Sequence, residues 1–170
     1  MRIGIDISQI VYQGTGVANY TKNLVEKLLA LDKKNEYVLF FSSLRRQPPK
    51  IANVRAFKIP PIILEFLWNR LHVLPVEWFI GEVDVFFSSD WTQPPAKKAK
   101  LVTTIHDLTP WLYPKTLHPR IVSTHKRRMK WVKKECDMII CDSEATKKDI
   151  VKILNIPESK LKVIYPGGVS

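Results

Sequence analysis

The residues of this chain best suited to chemistry stand where β-forming runs stop. Leu101-Val102-Thr103-Thr104-Ile105 is a run of β-formers that ends abruptly in His106-Asp107-Leu108. His106 can give a hydrogen bond to a sugar hydroxyl or a phosphate, and Asp107 can orient a loop or a substrate hydroxyl. The competing reading is a structural histidine at a strand end, capped by its neighbour. No serine or carboxylate partner is visible that would make a catalytic triad. A second such place follows the first strand, where Gly14-Thr15-Gly16 stands just before a helix start. Two glycines let backbone amides approach a ligand, and a helix start favours an anion. The competing reading is a tight connection that needs a positive φ. The loop makes a poor nicotinamide-cofactor fingerprint, because Asn19 stands where a third glycine belongs, and no Gly-Lys-Ser/Thr follows to make a P-loop. In open α/β sheets ligands bind at the carboxyl edge of the strands, so both signals point to one edge.

The elements that must hold these residues alternate along the chain. Strands are expected at Arg2–Ser8, Glu36–Ser42, Val54–Ile59, Val83–Ser88, Leu101–Ile105, Asp137–Cys141 and Leu161–Tyr165. Val17, Tyr20, Leu24, Leu28 and Leu31 recur at helical spacing and predict a helix from Val17 to Asp32. Further helices are expected over Ile62–Ile80, interrupted at Pro75, over Arg120–Glu135, and over Glu144–Leu154 with Ser143 as its N-cap. Gln9–Gly16, Asp90–Lys100 and Asp107–Pro119 read as loops. Strands separated by helices imply a mostly parallel sheet with helices on both faces, a Rossmann-like α/β fold.

One hundred and seventy residues suit a single domain, and 45% apolar with 25% charged residues excludes a disordered or fibrous chain. The net charge of +11 suggests an anionic partner: a nucleotide phosphate, an anionic membrane or nucleic acid. The opening Met1-Arg2-Ile3-Gly4-Ile5-Asp6 lacks a signal-peptide pattern, and no apolar run reaches the roughly 18 residues of a transmembrane span. A cytoplasmic protein is expected, with Cys136 and Cys141 as buried free thiols. Lys126, Arg127, Arg128, Lys130, Lys133 and Lys134 crowd one helix with Met129, Trp131 and Val132. They read either as a solvated face or as a surface for an anionic membrane, at whose inner face the protein would then be peripheral. The aromatic stretch Phe66–Phe79 reads as core or as the wall of an acceptor cleft, against a membrane-inserting element.

Taken together, the segments "GTGVANYTKNLVEKLL", "VDVFFSSDWTQPP", "VTTIHDLTPWLYP", "IICDSEATKKDI" and "KLKVIYPGG" resemble the N-terminal half of family 4 (group 1) glycosyltransferases of the GT-B fold, over the whole chain. The resemblance implies metal-independent, retaining transfer from a nucleotide-diphosphate sugar, with no further cofactor, to a glycan or lipid-linked acceptor. It implies that Gly14, Thr15 and Gly16 belong to the loop that meets donor phosphate and acceptor. His106, beside Asp107, then contacts the donor sugar, and Ser143 and Glu144 fall on the Ser-Glu that begins the last N-domain helix. Residues 1–166 would form the acceptor-side domain and 167–170 the start of a linker to a donor domain outside this sequence, so this chain alone is expected to be inactive. An apolar patch is expected near Pro166–Ser170, and nucleic acid is not an expected partner. The rival reading is a basic α/β module that binds anionic lipid or nucleic acid without catalysis.

Overall fold

A computed structural model describes residues 1–167. Among the described residues seven strands form one sheet: β1 (Arg2–Asp6), β2 (Glu36–Ser42), β3 (Val54–Phe57), β4 (Val85–Ser88), β5 (Lys100–Ile105), β6 (Met138–Cys141) and β7 (Leu161–Val163). Their order is β3-β2-β1-β4-β5-β6-β7, and every neighbouring pair is parallel. The chain therefore starts in the middle, builds outward through β2 to β3, returns across β1 to β4, and builds the other way to β7. Between β1 and β4 the winding reverses, which opens a crevice at the carboxyl ends of those strands.

A parallel sheet is covered on both faces, and β2 shows why its sequence is an unbroken apolar run. Tyr37, Leu39 and Phe41 pack with Ile5, Ile7 and Val25 against α1 (Gly16–Leu31), while Val38 and Phe40 face the larger core on the other side. That second core takes Trp68, Val76, Ile80, Met129 and Val132 from the opposite helices. Gly4 of β1 is required by this packing: a Cβ there would stand 2.6 Å from Ile80 Cδ1 and 2.8 Å from the Phe86 ring.

Several boundaries differ from those expected. The first strand stops at Asp6, and Ser8–Val11 forms a 3₁₀ turn, because the Asp6 carboxylate accepts the Ser8 amide at 2.9 Å and turns the chain. The region Ile62–Ile80 is two helices. The first comprises α2 (Pro61–Leu64) and a π-helical continuation, Glu65–Leu71; it ends at His72, whose φ is +55°. The second is the single turn α3 (Glu77–Ile80). The aromatic stretch divides with them: Trp68 is fully buried, whereas Phe66 and Trp78 are exposed.

The expected loop Asp107–Pro119 contains the turn α4 (Thr109–Leu112), which the Asp107 carboxylate starts by accepting the Thr109 amide at 2.6 Å. The basic helix α5 (Pro119–Glu135) begins at proline, whose missing N–H costs nothing at a helix start. The last helix is α6 (Glu144–Asp149) with a π-helical turn, Ile150–Leu154, after it. Cys136 and Cys141 are free and buried, and desolvation pushes their thiols up to about 12 and about 11. Ile164 and Tyr165 are exposed, and the rest of the patch expected near Pro166–Ser170 reaches residues 168–170, outside the described residues.

Candidate active site

Parallel neighbours bring their ends to the same edge, and the register pairs Ile105 of β5 with Cys141 of β6. The next residue of each strand is therefore side by side with the other: His106 Nδ1 lies 2.6 Å from Asp142 Oδ2. A carboxylate only accepts, so a neutral His106 carries its hydrogen on Nδ1 and presents the Nε2 lone pair outward. A protonated His106 would donate from both nitrogens. Asp142 Oδ1 is buried with no hydrogen-bond partner among the described residues.

The glycine loop is fastened to this pair by α1. Tyr20, one helical turn after Gly16, holds its hydroxyl 3.0 Å from Thr104 Oγ1, and its ring meets the His106 ring edge-on at 4.8 Å between centroids. Burial raises the Tyr20 pKa, so its hydroxyl stays protonated for that bond. Thr15 is the N-cap of α1: its Oγ1 accepts from the Ala18 amide at 3.2 Å and donates to the Tyr12 carbonyl at 2.9 Å. Capping at Ala18 leaves the Gly16 and Val17 amides without an intrahelical acceptor, and the first turn of this 16-residue helix holds no acidic side chain. An anion is therefore favoured there.

The two glycines differ. Gly14 has a φ of +85°, which the turn requires. A Cβ on Gly16 would meet nothing within 4 Å, so the packing of the chain does not demand glycine there.

Beside this edge lies a cleft of about 250 Å³ with Val17, Asp90, His106, Asp107, His125 and Arg128 among its lining residues. Arg128 enters from α5 and is only 2% exposed; its Nη2 donates to Thr103 Oγ1 and to the Thr104 carbonyl at 3.4 Å. Burial lowers the Arg128 pKa while the nearby Asp90 carboxylate opposes that shift. His125 sits edge-on to Trp91 at 5.7 Å, and burial, with help from Arg128, lowers its pKa.

Of the residues singled out by sequence, His106 and Asp107 line the cleft, and Gly16 precedes the lining residue Val17. Gly14 and Thr15 shape the loop before it. Ser143 caps α6 by accepting the Thr146 amide at 3.1 Å, and Thr146 Oγ1 donates to the His106 carbonyl at 3.3 Å. The Ser143 turn thus steadies the histidine from behind. Glu144 is exposed in the first turn of α6 and lies outside the cleft wall.

Sequence reading missed Asp142, Tyr20, Asp90, His125 and Arg128. Asp142 was legible in principle, since it follows a strand end as His106 does. The buried Arg128 was hidden inside a run of surface lysines. Arg127 likewise leaves the solvated face, donating from Nε to Glu65 Oε1 at 2.7 Å.

Among the described residues no group of three or more His, Cys, Asp or Glu side chains is placed to hold a metal ion. No described helix is long and apolar enough to cross a membrane. A search of curated proteins finds no match. The sequence model of Glycosyltransferase Family 4 matches residues 14–167. That span starts at the first glycine of the loop and takes in His106, Asp142 and every strand from β2 to β7. The chain belongs to glycosyltransferase family 4.

Proposed function

We propose that this chain is the acceptor-side domain of a retaining glycosyltransferase that moves a sugar from a nucleotide-diphosphate sugar to a glycan or lipid-linked acceptor. The observation that carries this reading is the convergence of two loops from distant parts of the sequence. The uncapped amides at Gly16–Val17 and the His106–Asp142 pair meet through Tyr20 beside one cleft. The helix start is suited to the donor diphosphate, on which negative charge grows as the glycosidic bond breaks. His106 is suited to a hydroxyl of the transferring sugar, accepting it at Nε2 when neutral.

The sugar carries positive charge in the transition state, and Asp142, behind His106, lends that side a compensating negative charge. No step in this scheme needs a metal or a further cofactor. A second domain following Ser170 would supply the nucleotide pocket and close the cleft, and the 170-residue chain alone would not turn over.

A peripheral site at the inner face of an anionic membrane is part of the same reading. Lys126, Lys130, Lys133 and Lys134 are exposed on α5, and the Glu65–Leu71 segment that α5 packs against carries the exposed apolar Phe66 and Leu71. Lys130 and Lys134 flank Trp131 at 5.1 and 5.2 Å from its ring centroid. A surface of this kind suits a lipid-linked acceptor held among anionic headgroups.

The test gives the 170-residue chain and the full-length gene product the same panel of nucleotide-diphosphate sugars with a membrane-lipid extract as acceptor. Transfer by the full-length product, with the donor's anomeric configuration kept and no loss in EDTA, is the expected result. Transfer by the 170-residue chain alone would overturn the division of labour. Polyanion binding with no transfer in either would favour the non-catalytic binding module.

A further inference from the structure

Two residues that line the cleft, Asp90 and Arg128, each hold a buried polar atom for which the described residues supply no partner. Arg128 Nε is buried and has no acceptor, and Asp90 Oδ1 is buried and has no donor. A guanidinium that is 2% exposed ordinarily meets a carboxylate, yet the acceptors that Arg128 does hold are a threonine hydroxyl and a main-chain carbonyl. Each orphan atom is destabilising as it stands. His125 lines the same cleft with an imidazole biased toward its neutral form, able to give or take one hydrogen bond.

Their chemistry narrows what fits. The three residues offer one fixed donor, one fixed acceptor and one group that can be either. A hydroxyl is the ligand group that can satisfy a donor and an acceptor at once, and neighbouring hydroxyls on a sugar ring can do so together. A phosphate would satisfy Arg128 Nε but would set its own charge against the free Asp90 oxygen. An apolar ligand would leave both orphans unmet.

We propose that Asp90 and Arg128, with His125 beside them, bind a hydroxyl pair of the acceptor saccharide and so select which saccharide is glycosylated. This rests on the glycosyltransferase reading above and assigns residues that neither the glycine loop nor His106 accounts for. Asp90 follows β4 and Arg128 rises from α5, so the pair sits next to the point where the sheet reverses its winding. His106 lies in the same cleft, close enough to influence the charge on His125. A saccharide held by Asp90 and Arg128 would therefore lie beside the sugar being transferred.

The test follows the Arg128 Nε–Hε resonance in the arginine-labelled protein, assigned by its disappearance in Arg128→Lys. The probes are methyl hexopyranosides, their monodeoxy analogues and inorganic phosphate. At least one methyl hexopyranoside should shift the resonance saturably. The analogue lacking the engaged hydroxyl should bind about tenfold or more weakly. Asp90→Asn should weaken the parent glycoside by a similar factor at an unchanged melting temperature. It keeps the experiment decisive if Arg128→Lys fails to fold, since the resonance can then be assigned by through-bond connection.

In the full-length gene product, Asp90→Asn should raise the acceptor KM and leave the donor KM alone. A resonance that no glycoside moves, or that parent and monodeoxy analogues move alike, would overturn the inference. So would a shift produced by phosphate and strengthened by Asp90→Asn, which would mark an anion site. In each of these cases His106-dependent transfer by the full-length gene product could still be measured, so the two readings fail separately.

Discussion

Replacing Asp142 with asparagine keeps the shape of the side chain and removes its charge, and the His106 ring should report the difference. In the native pair Asp142 Oδ2 accepts from His106 Nδ1 at 2.6 Å, while Oδ1 is buried with no partner among the described residues. A hydrogen bond to a charged group contributes about 1.5–3 kcal/mol. Both side chains are 20% exposed, so water screens the pair and about 1–2 kcal/mol is the fitting range. Asparagine can turn its amide two ways. With its oxygen toward Nδ1, its NH2 group enters the buried slot of Oδ1, where no acceptor waits, at a cost of about 1–3 kcal/mol.

With the NH2 group toward Nδ1 instead, that nitrogen must offer its lone pair and the ring hydrogen moves to Nε2. The second arrangement strands no donor, so Asp142→Asn should switch the tautomer and turn the outward nitrogen from acceptor to donor. Nitrogen-15 shifts of the His106 ring at pH above 8 read this directly. Transfer by the full-length gene product should fall by about 5- to 30-fold, the equivalent of 1–2 kcal/mol. An unchanged tautomer together with an unchanged rate would refute the reasoning.

Other expectations follow from the same geometry. Gly16→Ala should leave the melting temperature unchanged or slightly higher, because its Cβ meets nothing and alanine is favoured in a helix by up to about 1 kcal/mol. The donor KM should rise, and a fall in stability with an unaltered donor KM would contradict the ligand-facing role. For His125 the folded pKa lies below the ordinary value of about 6.5, so below that pH the unfolded chain binds more protons. Its contribution to stability is therefore complete above about pH 6.5 and declines as pH falls through and below it. Melting curves from pH 8 to pH 5 should drop more steeply for the native chain than for His125→Gln. In vesicle sedimentation, Lys130→Glu with Lys134→Glu should weaken binding to phosphatidylglycerol-containing vesicles at low salt, and equal binding would remove α5 from the membrane contact.

The outline of the fold was legible because its strongest signals are local. The unbroken apolar run of β2 and the helical spacing from Val17 to Leu31 each mark one element, although the buried line of α1 runs through Ala18, Thr21 and Val25 and leaves Leu31 exposed; the regular alternation implies the parallel sheet. Boundaries were harder where a side chain redirects the backbone. Asp6 caps the end of β1 onto Ser8, and Asp107 starts a helical turn within an expected loop. The Glu65–Leu71 and Ile150–Leu154 turns are wider than an α-helix, a change that leaves the apolar pattern nearly intact.

The candidate site was half legible. His106 and the glycines announce themselves by type and position. Asp142 becomes a partner only once β5 and β6 are neighbours in register. Arg128 is indistinguishable in sequence from Arg127 and Lys126, and only the rotation of α5 against the sheet decides that it is the buried one.

The central claim is that His106 touches the sugar in transit. Steady-state kinetics beside a melting curve, on the full-length gene product and its His106→Ala variant, test it most directly. If Nε2 meets the sugar more tightly in the transition state, kcat and kcat/KM should fall together by about 2–4 kcal/mol while the melting temperature holds. A fully folded His106→Ala enzyme with unchanged kcat would contradict the account and remove His106 from the site.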